Sequence, residues 1–422
     1  MKVWIINPFD NLPIEGFRPQ RYWLMSKAFV EAGHEVVLWS CTFSHTNKRF
    51  REIDEAKLCA AEKDLGGKIR LVPTIGYKKN ISFKRILSHK ILSRNWRKMA
   101  EREKEKPDVI IASIPPIGLC TEARKFCEKN GAKFIVDIQD AWPETFERVV
   151  PKIFLSPLFK AVRKNYGAAI AITAVSQRYV DLVKKYGVEK NVRLFYHGIE
   201  LKDYDEDVCE KASPFTIVYA GNFGESYDLE TLVAAVKRVN DVRLEIAGTG
   251  PKEESLKLLA DGCERIHFNG YVKSDELERL MKNADVGIIP MFADSYVGMP
   301  GKLADYTSQG LAVLNSLEGE VWQMVDEYGV GLNYKAGNEE SLVAAIEKMR
   351  SQDIGKMRER SKVLARRFDA SVIYKGFVVF VEKRCSASLE DEGVSCSGDC
   401  ASCSAKCSME KYYTNVPERN GR

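Results

Sequence analysis

Short apolar runs of a few residues alternate along this chain with longer stretches whose apolar positions recur at helical spacing, and the alternation persists to about residue 380. Runs at 3–6, 35–39, 109–112, 134–137 and 170–175 read as buried strands. Residues 21–33, with Leu24 and Ala28 on one face and Trp23 and Val30 beside them, read as a helix that Gly33 closes. The first forty residues thus predict a complete βαβ unit. Residues 200–213 break the pattern with Asp203, Asp205, Glu206 and Asp207 and read as a linker. A second series follows, with strands at 215–219, 243–247, 265–268 and 286–289 and helices near 229–239 and 340–349. The pattern predicts an α/β chain with two facing Rossmann-like domains, residues 1–200 and 201–370, and a cleft between them. A helix at 371–384 is expected to cross back onto the first domain, ahead of a Cys-rich tail at 385–422.

Composition narrows the function classes. The 422 residues suit two α/β domains, and 45% hydrophobic with 29% charged residues describes an ordinary globular chain. A net charge of +5 is small for this size, so general affinity for nucleic acid is not implied. No apolar run approaches the ~18 residues of a membrane span, and Met1-Lys2 leads directly into Val3-Trp4-Ile5-Ile6 without a signal-peptide pattern, so a cytoplasmic protein is expected. The charge is unevenly spread. Residues 78–98 hold Lys78, Lys79, Lys84, Arg85, Lys90, Arg94, Arg97 and Lys98 with no acid, interleaved with Phe83, Ile86, Leu87 and Trp96. Residues 153–166 repeat the mixture more weakly, with Phe154, Leu155, Phe159, Lys160 and Lys164. Such segments suit peripheral attachment to an anionic membrane surface, or equally an amphipathic helix with solvated charges.

Ligands of open parallel sheets bind beyond the carboxyl ends of strands, so candidate chemistry lies in the loops that follow them. After the first strand come Gly16, Arg18 and Arg21, able to admit and hold an anion at a helix start. After strand 134–137 the run Asp137-Ile138-Gln139-Asp140-Ala141-Trp142-Pro143-Glu144 gathers acceptors for sugar hydroxyls beside an aromatic face, though Asp140 also reads as a helix N-cap. In the second half, Tyr219-Ala220-Gly221-Asn222-Phe223-Gly224 and Gly248-Thr249-Gly250-Pro251 leave space for a phosphate against backbone N–H groups. Met299-Pro300-Gly301-Lys302-Leu303-Ala304-Asp305-Tyr306 opens a helix whose positive end and Lys302 would face a diphosphate, with Asp305 one turn on to accept ribose hydroxyls. Surface charge and plain turns remain open readings of each.

Taken in order, these blocks, together with Ala32-Gly33-His34-Glu35-Val36, Ala174-Val175-Ser176 and Phe268-Asn269-Gly270-Tyr271-Val272, resemble the family 4 glycosyltransferases of the GT-B fold over residues 1–380. The resemblance implies transfer of a hexosyl or N-acetylhexosaminyl group, with retention, from a UDP- or GDP-sugar to an acceptor hydroxyl. The acceptor would be a lipid-linked or polysaccharide precursor, as in capsule or lipopolysaccharide assembly. It implies catalytic roles for Asp140, Lys302 and Arg21, donor contacts at Gly16, Arg18, Gly221, Asn222, Gly224, Gly248, Pro300, Gly301 and Asp305, and acceptor contacts at Asp137, Trp142 and Glu144. Two departures stand out: Val297 replaces the earlier of the family's paired glutamates, and Glu225-Ser226-Tyr227-Asp228 stands where a basic pair is common. No metal is required, since Asp203-Tyr204-Asp205 lies in the linker rather than after a strand. Cys396, Cys400, Cys403 and Cys407, with Cys385 upstream, could ligate zinc or an iron–sulfur cluster or form a thiol-rich extension, while Cys41, Cys59, Cys120, Cys127, Cys209 and Cys263 read as structural. A nucleotide-sugar 2-epimerase and a non-catalytic membrane or nucleic-acid binder are the competing classes.

Overall fold

The structure, a computed structural model, describes residues 1–80, 82–147, 150–189, 191–201 and 214–387. The first half carries β1 (Lys2–Ile6), β2 (Glu35–Cys41), a short ribbon of β3 (Phe43–Ser44) and β4 (Arg49–Phe50), β5 (Lys68–Val72), β6 (Val109–Ile114), β7 (Lys133–Ile138), β8 (Ala171–Ala174) and β9 (Val192–Leu194). Seven of these form one wholly parallel sheet in the order β5-β2-β1-β6-β7-β8-β9. The second half repeats the design with β10 (Phe215–Ala220), β11 (Val242–Ala247), β12 (Ile266–Gly270), β13 (Val286–Ile289), β14 (Ala312–Asn315) and β15 (Gly331–Asn333), ordered β12-β11-β10-β13-β14-β15 and again parallel. The expected α/β architecture of two Rossmann-like halves is present. Both sheets reverse their winding beside their first strand, and that reversal opens a crevice at the strands' carboxyl ends.

Local sequence explains the elements. β6, Val-Ile-Ile-Ala-Ser-Ile, is buried along its whole length because helices cover both faces of the sheet. The helix Arg21–Glu31 stops where Gly33 takes φ 82°, with the Gly33 and His34 N–H groups donating to Val30 and Phe29 carbonyls in a Schellman pattern. Four strands of the two parallel sheets were not placed by the apolar runs: β14, an interior strand of only four buried residues, and β5, β9 and β15, sheet edges whose short, mixed sequences need bury only part of their surface.

The helix Ala370–Ser386 packs on the first half. The Phe377 ring lies 4.9 Å from Phe195 and 6.3 Å from Phe29, Glu382 meets His34 at 2.9 Å, and Arg384 donates to Asn191 at 2.6 Å. Cys385 belongs to this helix rather than to the tail. Cys41, Cys120 and Cys127 are buried free thiols. Cys209, the Asp203-Tyr204-Asp205 run and Cys396, Cys400, Cys403 and Cys407 lie outside the described residues. Among the described residues no helix is long and apolar enough to cross a membrane, and no group of His, Cys, Asp and Glu could hold a metal ion.

The halves meet on one side of the cleft. Arg178 donates to the Ser295 carbonyl at 2.6 Å, the Tyr179 hydroxyl to the Tyr296 carbonyl at 3.2 Å, and Glu320 accepts from the Gln177 N–H at 3.0 Å and from the Tyr196 hydroxyl.

Candidate functional site

On the second half, β10 and β11 run out into loops that pack backbone against backbone. The Gly221 N–H donates to the Ala247 carbonyl at 2.9 Å, and the Phe223 N–H to the Thr249 carbonyl at 3.0 Å. A Cβ on Gly248 would stand 1.8 Å from the Gly221 oxygen, so no other residue fits. A Cβ on Gly221 would stand 2.0 Å from Lys302 Nζ, so glycine here leaves room for an ammonium group rather than for a turn alone. Asn222 is exposed at the loop tip, its carbonyl held by the Tyr219 hydroxyl at 2.7 Å, and Gly224 closes against the Asn222 side chain.

The helix Gly301–Ser308 starts at its N-cap Pro300, and Gly301 faces open space. Lys302 turns inward. Its ammonium donates to the Ala220 carbonyl at 2.6 Å and rests 4.7 and 4.5 Å from the Tyr219 and Tyr227 ring centroids. One oxygen and two ring faces leave N–H donors unspent beneath the glycine loops. Burial pushes the Lys302 pKa down to about 8, with Asp305 pulling the other way. Tyr227, in the stretch that lacks a basic pair, supplies one of those rings. Asp305, one turn further, accepts from Arg18 of the first half at 2.6 Å.

On the first half, the Asp140 carboxyl is open to the cleft and accepts no helix-capping bond; the short helix Glu144–Phe146 begins after Pro143 without a side-chain cap. Crowding by protein raises its pKa to about 6, and Arg85 opposes the rise. Trp142 is half-buried, with the Arg85 guanidinium 5.0 Å from its ring centroid and Phe146 edge-on at 4.6 Å.

Residues 21–203 match the family described as Glycosyltransferase Family 4, and residues 214–352 match Glycosyl transferases group 1. The chain belongs to the family 4 type of glycosyltransferases. This glycosyltransferase is 22% identical over 265 residues to sulfoquinovosyl transferase SQD2 of Arabidopsis thaliana, a match covering 59% of this chain and 51% of the relative. The match thus spans about half the length of that curated relative. Among solved structures, HepE of Anabaena in complex with UDP is similar at 14% identity and TM-score 0.67, covering 91% of this chain and all of that one. The lipopolysaccharide outer core galactosyltransferase WaaB is similar at 17% identity and TM-score 0.61, with 91% and 100% covered. These likenesses establish the GT-B fold.

In this glycosyltransferase several residues expected at the substrates stand elsewhere. Arg21 and Asp137 are buried together: Arg21 Nε and Nη2 each donate to Asp137 at 2.9 Å, and Nη1 donates to the Phe195 and Tyr196 carbonyls at 3.1 and 2.9 Å. The Tyr22 and Thr173 hydroxyls and the Gln139 side-chain amide, each at 2.6 Å, also donate to this carboxylate. Burial alone would raise the Asp137 pKa; Arg21 and the two hydroxyls hold it below the ordinary value. Four of the five guanidinium N–H groups donate within the protein and both side chains are buried, so Arg21 ties strand ends together. Glu144 is likewise turned inward, accepting from the Tyr186 hydroxyl, with burial raising its pKa. Gly16, at φ 84°, closes the turn Pro13–Glu15, with open space where a Cβ would stand.

The sequence reading also passed over His197, which lies beside Arg21, Asp137 and Arg18 with a pKa lowered to about 4, chiefly by burial. It missed the inward turn of Arg85 as well. Helical phase carried a signal for that: Arg85, His89, Leu92 and Trp96 recur on one face, and Leu92 and Trp96 are core residues.

Proposed function

We propose that this glycosyltransferase moves a sugar, with retention of configuration, from a UDP-sugar to a hydroxyl of an acceptor presented at an anionic membrane surface. The observation that carries it is the Lys302 ammonium, held beneath the Gly221 and Gly248 loops with unspent donors. As the anomeric bond breaks, negative charge gathers on the departing diphosphate. A preorganised ammonium and the N-terminus of the Gly301–Ser308 helix stabilise that charge more than the ground state. Asp305 takes the ribose hydroxyls once Arg18 releases it, and Arg18 then faces the phosphates. Asp140 orients the acceptor or steadies positive charge at the anomeric carbon, and the leaving phosphate takes the acceptor proton on the same face of the sugar. Protein cations do the neutralising, so no metal is required.

UDP is favoured as the nucleotide because HepE, a neighbour in fold, is seen with UDP and with UDP-glucose. Attachment to a membrane is supported by the helices Phe83–Arg102 and Lys152–Ala168, which leave Phe83, Ile86, Ile153 and Phe154 at 81, 56, 76 and 72% exposed among lysines. The names of SQD2 and WaaB, a sulfoquinovosyl transferase and a lipopolysaccharide galactosyltransferase, point the same way.

A thermal-shift screen across UDP-, GDP- and ADP-sugars, followed by nucleotide release with and without acceptor, tests the proposal. A shift with UDP-sugars and acceptor-dependent release support it. No shift with any nucleotide overturns the donor assignment, and isomerised donor without acceptor identifies an epimerase instead.

A further inference from the structure

The mouth of the first sheet holds a group of cations and rings that the donor chemistry does not use. Phe9 follows β1, His45 and Lys48 lie in the turn of the β3–β4 ribbon that comes after β2, Tyr77 follows β5 and Trp142 follows β7, so all stand beyond the carboxyl ends of the sheet's strands. The first turns of the helix Phe83–Arg102 add Arg85 and His89. The Arg85 guanidinium lies 5.8 Å from the Phe9 and Tyr77 centroids and 5.0 Å from that of Trp142, while Lys48 Nζ lies 5.2 Å from the same Tyr77 ring. Asn80 ties the two cations together, its side-chain oxygen accepting from Lys48 and its carbonyl from Arg85 at 2.8 Å.

Among the described residues neither Lys48 nor Arg85 is ion-paired with a carboxylate. Arg85 Nε and His89 Nε2 are buried without any hydrogen-bond partner. A buried donor or acceptor of this kind destabilises the fold unless something satisfies it. Desolvation lowers the pKa of Lys48 to about 8 and those of His45 and His89 to about 3, and it lowers that of Arg85. Two cations therefore remain near neutral pH, with Asp140 the carboxylate within electrostatic reach of Arg85.

We infer that Lys48 and Arg85, set among the rings of Phe9, Tyr77 and Trp142, form a subsite for a phosphate group carried by the acceptor. A planar guanidinium and a point-charge ammonium converging from two elements suit a phosphate's several oxygens, and the ring faces suit the adjoining sugar or polyol. Trp142 is two residues from Asp140, so the phosphate sits next to the reacting hydroxyl. This rests on the reading that the acceptor occupies the first half. The phosphate belongs either to a lipid headgroup or to a soluble sugar phosphate.

Calorimetric titration of the full chain with glucose 1-phosphate and with methyl α-glucoside, in buffer holding millimolar UDP and GDP to fill the donor loops, tests the subsite. The phosphorylated sugar should bind at least tenfold tighter than the neutral one. Lys48→Gln and Arg85→Gln should each remove about tenfold of that preference, with UDP binding and melting temperature measured alongside. Equal binding of the two sugars overturns the inference, as does a preference that survives both substitutions in folded protein. Flotation on phosphatidylcholine vesicles with and without phosphatidylinositol separates the sources. Arg85-dependent gain on the phosphatidylinositol vesicles assigns a lipid headgroup, and its absence beside retained glucose 1-phosphate binding assigns a soluble one. Loss of UDP binding with the sugar-phosphate preference intact would fault the donor reading and leave this subsite standing.

Discussion

Arg18 on the first half donates to Asp305 on the second across 2.6 Å, closing the cleft with an ion pair on a carboxylate expected to hold the donor's ribose. Arg18 is 58% exposed, so the pair is worth only about 0–1 kcal/mol of stability. Arg18→Ala should leave the melting temperature nearly unchanged yet raise the donor KM about tenfold, because the side chain that vacates Asp305 then faces the diphosphate. An unchanged KM, from initial rates at varied donor, would show Arg18 to be a bystander.

Lys302 makes a pH-dependent prediction of its own. Its folded pKa, about 8, lies below the ordinary 10.5, so between those values the unfolded chain holds more protons and stability rises with pH. Lys302→Met should abolish that rise in denaturant titrations from pH 8 to 10. The same substitution should depress kcat by about 100- to 1000-fold, the usual loss for a preorganised charge at a leaving group. A kcat within a factor of a few of wild type removes Lys302 from the chemistry.

For Asp140 the linkage runs the other way. The folded pKa of about 6 lies above the ordinary 3.8, so the folded state keeps the proton longer and stability declines as pH climbs through that window. Asp140→Asn should flatten this decline and leave the protein no less stable at pH 8, while lowering kcat by about 100-fold. Wild-type activity should rise through about pH 6 as the carboxylate forms. Near-full turnover of the asparagine variant at saturating donor contradicts the assigned role.

Arg21 is expected to behave as structure. Removing one partner of a fully buried ion pair leaves the other charge stranded, so Arg21→Met should cost about 3–5 kcal/mol in urea unfolding. Arg21→Met with Asp137→Leu should recover much of that loss. A variant of full stability but no activity would return Arg21 to the reaction.

Membrane attachment is predicted to reside in the exposed apolar residues of two helices. Replacing Phe83, Ile86, Ile153 and Phe154 by serine removes no core packing, so stability should shift by no more than about 0.5 kcal/mol per site. Flotation with phosphatidylglycerol-rich vesicles should fall to background. Charge reversal at Lys84 and Lys90 should weaken flotation and lower the salt sensitivity of what remains. Full flotation of the serine variant would place the contact elsewhere or nowhere.

The fold was legible because apolar runs and helical spacing mark most buried elements, β14 being an exception, and two such series with a polar break describe two sheets. The donor loops were legible for a related reason: glycine directly after a strand records a place where backbone must approach backbone, as Gly221 and Gly248 do. Long-range pairing was not. Nothing near Arg21 announces that Asp137, 116 positions on, will consume its guanidinium. Composition likewise treats Lys84, Arg85 and Lys90 as one basic patch. Only the helix's phase separates Arg85, turned in against Trp142, from its solvated neighbours.

The helix Ala370–Ser386 covers Phe29 and Phe195, side chains of the half that is synthesised first. On the ribosome that half must wait, its surface uncovered, for roughly ten to forty seconds of further elongation before its last wall arrives. The order of synthesis and the order of completion are therefore reversed, and a chain cut short anywhere in the second half leaves the first one open to chaperones and proteases.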